Sequence, residues 1–301
     1  MAKRKNYYQK KNRKTKLGRV EGIIATVLVV AAAIAYFIYD HLPAQPLPGD
    51  GVSVHFIDVG QGDSTLIQYD GHNILIDAGE NDQGNVVVDY LKSQGVDKLD
   101  LMIGSHPHSD HIGGMDTVLK AFDTETILMP ELSKENTPTT KTYLEVLSAA
   151  EQQGKTITVA APGQTFTYGQ AKISILGPVQ EYNDLNSNSV VAKFSYGDTS
   201  FLFGGDMEAQ AEQDLLESGA NVKSTVLKLS HHGSNTSNSQ DFLDAVQAND
   251  YVICVGSGNS YGHPHQEILD RIAGKSVYRT DLNGTIVFHS DGANLTVTTE
   301  R

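Results

Sequence analysis

The run Ser105-His106-Pro107-His108-Ser109-Asp110-His111-Ile112-Gly113-Gly114 constrains this chain more than any other segment. It sets three histidines and an aspartate close together, directly after the apolar run Leu99 to Ile103 and directly before two glycines. Imidazole nitrogen and carboxylate oxygen suit zinc and its first-row neighbours. Four such ligands at this density serve neither packing nor a solvated face. Alternating residues at a strand end aim His106 and His108 together, while Asp110 and His111 turn toward a second point, so one loop can feed two metals. Two later segments repeat the arrangement of strand, polar tip and loop. Phe201-Leu202-Phe203-Gly204-Gly205-Asp206 is an apolar run ending in an aspartate, and Val226-Leu227-Lys228-Leu229-Ser230-His231-His232 is one ending in a histidine pair. Ligands carried at strand ends are held better than ligands in mid-loop.

These three segments together resemble the metallo-β-lactamase superfamily, in which the aspartate at the position of Asp206 bridges two metals. A finer resemblance, to the competence-protein (ComEC-type) branch, rests on His55-Phe56-Ile57-Asp58-Val59-Gly60-Gln61-Gly62-Asp63-Ser64, on Ile74 to Gly79, and on Asn188-Ser189-Val190-Val191. Lys228 to Ser234, Asn259-Ser260-Tyr261-Gly262-His263-Pro264-His265, and Tyr278-Arg279-Thr280-Asp281 with Gly284 complete it, over roughly residues 52 to 298. The resemblance implies an α/β (α+β) chain folded as a four-layer αββα sandwich, with the site at one edge between the sheets. It also implies two divalent metals, zinc or manganese. Coordination lowers the pKa of water from about 16 toward 7 and so supplies hydroxide at neutral pH.

The chain departs from the superfamily in one respect. Many dinuclear members place a further histidine between the first loop and the bridging aspartate, but no histidine occurs from Ile112 through Ser230. Asn186, Asn188 and Ser189 lie where that ligand would be sought, and a neutral amide is a poorer zinc ligand than imidazole. The metal ligands expected are therefore Asp110, His111, Asp206 and His231 at the stronger site, and His106, His108 and Asp206 at a weaker one. Asp110, His232 and Asn188 are the candidate catalytic groups. Asp77 is read either as a carboxylate that orients a ligand histidine or as a turn residue. Strand alternation assigns His231 to metal and leaves His232 as ligand, proton donor or neighbour. Lys228 and His263 are candidates for contacting substrate, and His265 a weaker one. Lys228 reads equally well as a solvent-facing strand residue. Asp58 and Asp63 are expected to shape their loop, and the isolated His41, His55, His72 and His289 to be structural or superficial.

Charge is spread unevenly. Residues 1–19 carry nine Lys or Arg and no acid, so the remainder holds 23 − 9 = 14 bases against 36 acids, a net −22. Gly22 to Tyr39 is free of charge and rich in Val, Ile and Ala, long enough to span about 27 Å as a helix. Tyr36, Phe37 and Tyr39 mark its far end as interfacial aromatics do. The expected organisation is a basic cytoplasmic tail (1–19), a single transmembrane anchor (20–39), a Pro-rich spacer (40–50) and an extracellular hydrolase domain (51–301). A cleaved signal peptide is the alternative to the anchor. The single cysteine, Cys254, lies in an apolar run and is expected to be buried packing.

Beyond residue 50 the pattern alternates strand and helix. Strands are expected at 52–59, 64–69, 73–77, 126–129, 172–176, 190–196, 200–203, 226–229, 251–255, 276–279, 284–288 and 295–299. Helices are expected at 86–94, 115–121, 141–153, 208–217, 239–246 and 266–272. Two strand-rich halves with outer helices predict one core rather than two domains. The function expected is a membrane-anchored metallohydrolase, first a phosphodiesterase or nuclease. The alternatives are a teichoic-acid or choline-phosphate esterase of the cell wall, an acyl or lactam hydrolase, and a non-catalytic binding protein. The expected partners are a phosphodiester substrate (DNA or a cell-wall polymer), the membrane, and a separate transport or competence machinery. The acidic balance opposes broad nucleic-acid binding, and no basic-aromatic platform accompanies it.

Overall fold

A computed structural model of the chain describes residues 51–301 together with the single position Val30. The basic tail, the anchor and the Pro-rich spacer therefore lie outside the described residues. Among the described residues no helix is long and apolar enough to cross a membrane.

Two sheets carry the fold. The first takes β1 (Val52–Phe56), β2 (Thr65–Tyr69), β3 (His72–Ile76), β4 (Lys98–Ile103), β5 (Asp123–Pro130) and β6 (Ile157–Ala160). The chain then crosses to a second sheet built from β7 (Thr165–Tyr168), β8 (Ala171–Gly177), β9 (Val191–Tyr196), β10 (Thr199–Phe203), β11 (Val226–Lys228), β12 (Asp250–Ile253) and β13 (Ser276–Arg279). It returns with β14 (Ile286–Ser290) and β15 (Leu295–Thr299), which extend the first sheet beside β1. The strand orders are 15-14-1-2-3-4-5-6 and 13-12-11-10-9-8-7. Because β14 pairs with β1 across the length of the sequence, the two halves form one body, as the pattern predicts.

Strand alternation divides the apolar residues between layers. Val52, Val54 and Phe56 of β1 meet Phe194 of β9 and Phe201 and Phe203 of β10 in the core between the sheets. Leu66 of β2, Leu75 of β3 and Met102 of β4 face outward, onto the helices Gly84–Ser93, Met115–Ala121 and Lys141–Gln152. Leu202 and Leu227 face the opposite way, under Ala209–Glu217, Gln240–Val246 and Gln266–Arg271. Helix, sheet, sheet and helix make four layers. Cys254 is buried in the central core.

Two strands absent from the sequence reading, β6 and β7, are the terminal strands of their sheets. β7 exposes alternate residues and β6 exposes the adjacent Thr158 and Val159, so neither has the buried run that marks an interior strand.

What matters for the site is the direction of the strands. β3, β4 and β5 run parallel in one sheet, and β10 to β13 run parallel in the other. The loops after β3, β4, β10, β11 and β12 thus gather chemistry from distant parts of the sequence, as expected at the carboxyl ends of parallel strands.

Candidate metal centre and active site

The loop after β4 starts with Ser105 and His106, both buried, and turns into the short helix Ser109–Ile112, which bears Asp110 and His111. β10 ends in Gly204-Gly205, and Gly205 takes φ +55°, a conformation open to glycine, to bring Asp206 inward. β11 leads into a tight turn, Ser230–Gly233, in which His231 and His232 both take a left-handed backbone (φ 52° and 54°).

Ligand atoms of Asp110, His111, Asp206 and His232 all lie within 4.8 Å of one another. His111 Nε2 is 3.1 Å from Asp206 Oδ1, and His232 Nε2 is 3.1 Å from Asp110 Oδ2 and 3.6 Å from Asp206 Oδ2. His111 Nε2 and Asp206 Oδ1 are buried and neither has a hydrogen-bond partner. Buried polar atoms are ordinarily satisfied, so an imidazole nitrogen and a carboxylate oxygen left facing each other fit a divalent cation held between them.

The other ring nitrogens are spoken for. His111 Nδ1 donates to Asp77 Oδ2 (2.8 Å), and Asp77 is fixed by the Ser105 N–H and hydroxyl, each at 2.7 Å. His232 Nδ1 donates to the Cys254 carbonyl (2.9 Å). These bonds present each Nε2 lone pair to the cluster. Asp77 meets both of its readings at once: it takes the left-handed φ of a turn residue, +59°, and its carboxylate holds the His111 ring.

The cluster includes His232, not His231, in the place that strand alternation gave to His231. His231 Nε2 stands 3.8 Å from Asp206 Oδ2, and its Nδ1 pairs with Thr236 Oγ1 at 3.1 Å, with Glu208 at 3.6 Å. Alternation fails here because the two residues sit in a left-handed turn rather than in a strand.

The second ligand group is sparser. His106 Nε2 is hydrogen-bonded to His108 Nδ1 (3.0 Å) and lies 3.9 Å from Asp206 Oδ2. Where a third histidine would be sought, Asn186 reaches the cleft and keeps a buried, unpartnered Oδ1. Ser189 Oγ instead accepts the backbone N–H of Asp206 at 2.9 Å.

Asn188, expected among the catalytic groups, is corrected by the structure. Its amide is consumed inside its own loop, accepting from Tyr182 N and donating to the Tyr182 and Asp184 carbonyls. An Asn that closes a turn in this way has no atom left for substrate.

Lys228 is not solvent-facing. It shares the inner face of β11 with Val226, and its ammonium pairs with Asp63 and donates to the Gly205 carbonyl at 3.1 Å. Asp63, read from sequence as a loop-shaping residue, also approaches His111 (3.7 Å) and His232 (3.4 Å). Its loop is pinned by the bond from Asp63 N to the Asp110 carbonyl at 3.0 Å. The only sequence signal for Asp63 was its place after the glycine turn at the end of β1.

Without metal the cluster holds opposite charges together. Burial disfavours a charge on His232, yet Asp206, Asp110 and Asp63 outweigh it and push its pKa up to about 10. His111 is raised for the same reason, while Asp206 and Asp110 are held below the ordinary carboxylate range by the facing imidazoles despite their burial. His106 is depressed, first by burial and then by the charge of His111, which together outweigh Asp206.

A cleft of about 330 Å³ opens over the cluster, lined by His108, Asp110, Asp206, His231 and His232 together with Gln61, Glu80, Asn186, Tyr261 and His263. His263 thus reaches the site. His265 does not: its Nδ1 accepts from Asn235 N at 2.9 Å, in support of the loop. Of the isolated histidines, His55 packs under Tyr90, His72 pairs with Asp100 and His289 lies beside Ser53. His41 is outside the described residues.

A family profile described as the metallo-beta-lactamase superfamily matches residues 57–257. ComE operon protein 3 of Bacillus subtilis is 29% identical over 288 residues, covering 89% of this chain and 35% of that protein. Competence protein ComA of Neisseria gonorrhoeae is 30% identical over 268 residues, covering 87% of this chain and 35% of its own length. The chain therefore spans about a third of these two relatives. Among solved structures, the metallo-beta-lactamase fold protein YhfI from Bacillus subtilis superposes with a TM-score of 0.54 at 15% identity, over 80% of this chain and 100% of that one. CmlA, a diiron beta-hydroxylase from Streptomyces venezuelae, does so with 0.51 at 14% identity, over 78% and 53%. At such identities the likeness is one of fold, and a fold hosts more than one chemistry.

Proposed function

This chain belongs to the metallo-beta-lactamase superfamily, in the branch of the competence proteins, and from that premise we propose that it is a metal-dependent phosphodiesterase. The observation that carries the reading is the cluster of Asp110 at the cleft with the buried His111, Asp206 and His232, in which two ligand atoms are unpaired. These four residues would hold one divalent metal, and His106 and His108 with Asp206 a second, weaker one. A bound metal supplies Lewis acidity toward a phosphoryl oxygen and lowers the pKa of water. The chain's own residues supply the frame. Asp77 and Ser105 fix the His111 ring, the Cys254 carbonyl fixes His232, and Lys228 offsets the charge of Asp63 behind the carboxylates.

Charge narrows the substrate. Residues 51–301 hold 14 bases and 33 acids, a net −19, and no Lys or Arg lines the cleft. Such a surface repels a duplex over most of its area, and the cleft volume suits a single strand or a small phosphodiester. The competence relatives favour a nucleic-acid strand over a cell-wall polymer. The sequence supports an uncleaved anchor at 20–39, with the domain extracytoplasmic and acting beside a separate transport machinery.

The test is bound metal per chain together with hydrolysis of bis(p-nitrophenyl) phosphate by the full chain and by Asp110→Ala. We expect metal-dependent cleavage that falls at least a hundredfold in the variant together with its metal content. Stoichiometric metal without cleavage, with zinc or with manganese, would falsify the phosphodiesterase reading.

A further inference from the structure

Tyr261 is a large side chain left 65% exposed, and it stands at the mouth of the cleft rather than on a remote face. Its ring stacks on His263, with centroids 5.6 Å apart and planes inclined by 22°. His263 in turn lies 5.5 Å from the His231 ring and 6.3 Å from the His232 ring. The stack therefore begins one ring away from the metal cluster and ends in open solvent.

The loop that carries this stack is built to hold its shape. The Asn259 side chain donates to the Gly256 carbonyl (3.0 Å) and the His263 carbonyl (2.7 Å), and accepts from the backbone of Tyr261 (3.2 Å) and His263 (3.0 Å). Gly256 N donates to Gln61 Oε1 at 3.1 Å, which leaves Gln61 Nε2 as a buried donor without a partner beside the same cleft. A rigid aromatic shelf beside an unsatisfied donor calls for a ligand that is planar at one end and rich in acceptors at the other.

We propose that Tyr261, backed by His263, is a base-stacking subsite, and that the substrate is a phosphodiester carrying an unpaired nucleobase next to the bond that is cut. The proposal rests on the phosphodiesterase reading above. Charge strengthens it. With Glu80, Asp110 and Asp206 and no Lys or Arg among the lining residues, a polyanion meets no fixed basic side chain in the cleft beyond the metal cluster itself. Stacking is the affinity term that survives there, because every base offers a π-face whatever the sequence or the salt. A polyol phosphate has no such face, and a duplex keeps its bases stacked on each other. In an unpaired strand the base rests on the outer face of Tyr261, and Gln61 Nε2 donates to an oxygen of the same nucleotide.

The test compares a single-stranded oligonucleotide with a strand of equal length whose sugars carry no bases, on the metal-loaded full chain, Tyr261→Phe and Tyr261→Ala. Cleavage is followed as kcat/KM, and binding as the anisotropy of end-labelled strands on the Asp110→Ala chain with and without Tyr261→Ala. We expect the natural chain and Tyr261→Phe to favour the base-bearing strand by roughly five- to a hundredfold, and Tyr261→Ala to bring the ratio near one. Equal cleavage of both strands by the natural chain, or a ratio unmoved in Tyr261→Ala, sinks the subsite and leaves the phosphodiesterase standing. If no strand is cut, hydrolysis of bis(p-nitrophenyl) phosphate decides whether the phosphodiesterase reading stands, and binding decides the subsite. Base-dependent binding lost with Tyr261→Ala upholds the subsite; equal binding, or binding of neither strand, overturns it.

Discussion

A histidine that ligates through one ring nitrogen must give the other away, and the proteins that do this well choose the recipient. His111 gives its Nδ1 to Asp77 and His232 to the Cys254 carbonyl, both buried, whereas His231 gives its own to Thr236 at the edge of the cleft. His232→Ala should therefore lose most of the tightly bound metal, while His231→Ala keeps it; metal analysis after dialysis separates the two, and the reverse order would contradict the cluster. The ligand loop, Asp206 and Asp77 were legible because strand, polar tip and glycine follow one another in the sequence. The choice between two adjacent histidines was not legible, because it depends on two positive φ angles that no periodicity encodes. Asn188 misled for a similar reason: its type suits chemistry, but its loop claims every atom of its amide. Away from the site, His55 is buried on β1 with its Nδ1 on the Tyr90 hydroxyl, and burial lowers its pKa from 6.5 to about 4. A depressed pKa stabilises the fold above the unfolded value, and this stability is lost as pH falls from 6.5 through 4. The stability lost by pH 4 is on the order of 3 kcal/mol. Urea midpoints at pH 7 and pH 4 should fall less for His55→Phe than for the natural chain, and parallel losses would remove His55 from the account.

At the scale of elements, the site depends on loops touching loops across the two sheets. Gly62, in the turn after β1, has φ +132°, and a Cβ there would stand 2.2 Å from the carbonyl oxygen of Asp110. That same carbonyl accepts the N–H of Asp63, so the glycine lets the first loop lie directly on the ligand helix. Gly62→Ala is expected to destabilise the chain by about 1–3 kcal/mol and to weaken metal binding as well, because Asp110 must move. A shift in the urea midpoint with unchanged metal affinity would show the contact to be structural alone. The sequence pattern located the interior strands to within a few residues, since their apolar runs are set by burial on both faces. It passed over β6 and β7, whose outer residues answer to solvent. It also read the glycine turn containing Gly62 only as a shaping element. The Asp63 to Lys228 pair behind that turn joins strands far apart in the chain, and no local signal announces it.

On the scale of the whole molecule, the cluster takes its ligands from both halves: Asp110 and His111 from the first sheet's loops, Asp206 and His232 from the second's. The two-sheet architecture was legible, because matching strand-rich halves cannot bury their faces except on each other. The return of β14 beside β1 was not, since antiparallel pairing over such a separation leaves no trace in composition. A metal at this place links the halves across the edge of the sandwich, so its binding belongs to the stability of the entire fold rather than to a loop. An ion that binds only the native chain stabilises it by RT ln(1 + [L]/Kd), about 2.7 kcal/mol at a hundredfold excess over Kd. For a domain of this size each kcal/mol moves the midpoint by about 2–4 °C, which gives about 5–11 °C between chelated and metal-saturated protein. The sign is firm because the alternative to a cation is a group of four carboxylates, three buried (Asp63, Asp77 and Asp206) and one at the cleft floor (Asp110), offset only by Lys228 and by imidazoles that must stay protonated. Scanning calorimetry across a series of zinc or manganese concentrations should show a single transition that rises with the logarithm of free metal in the natural chain and stays still in Asp110→Ala. A metal-independent midpoint in the natural chain, or a second transition that alone responds, would mean that the halves are held together without the ion.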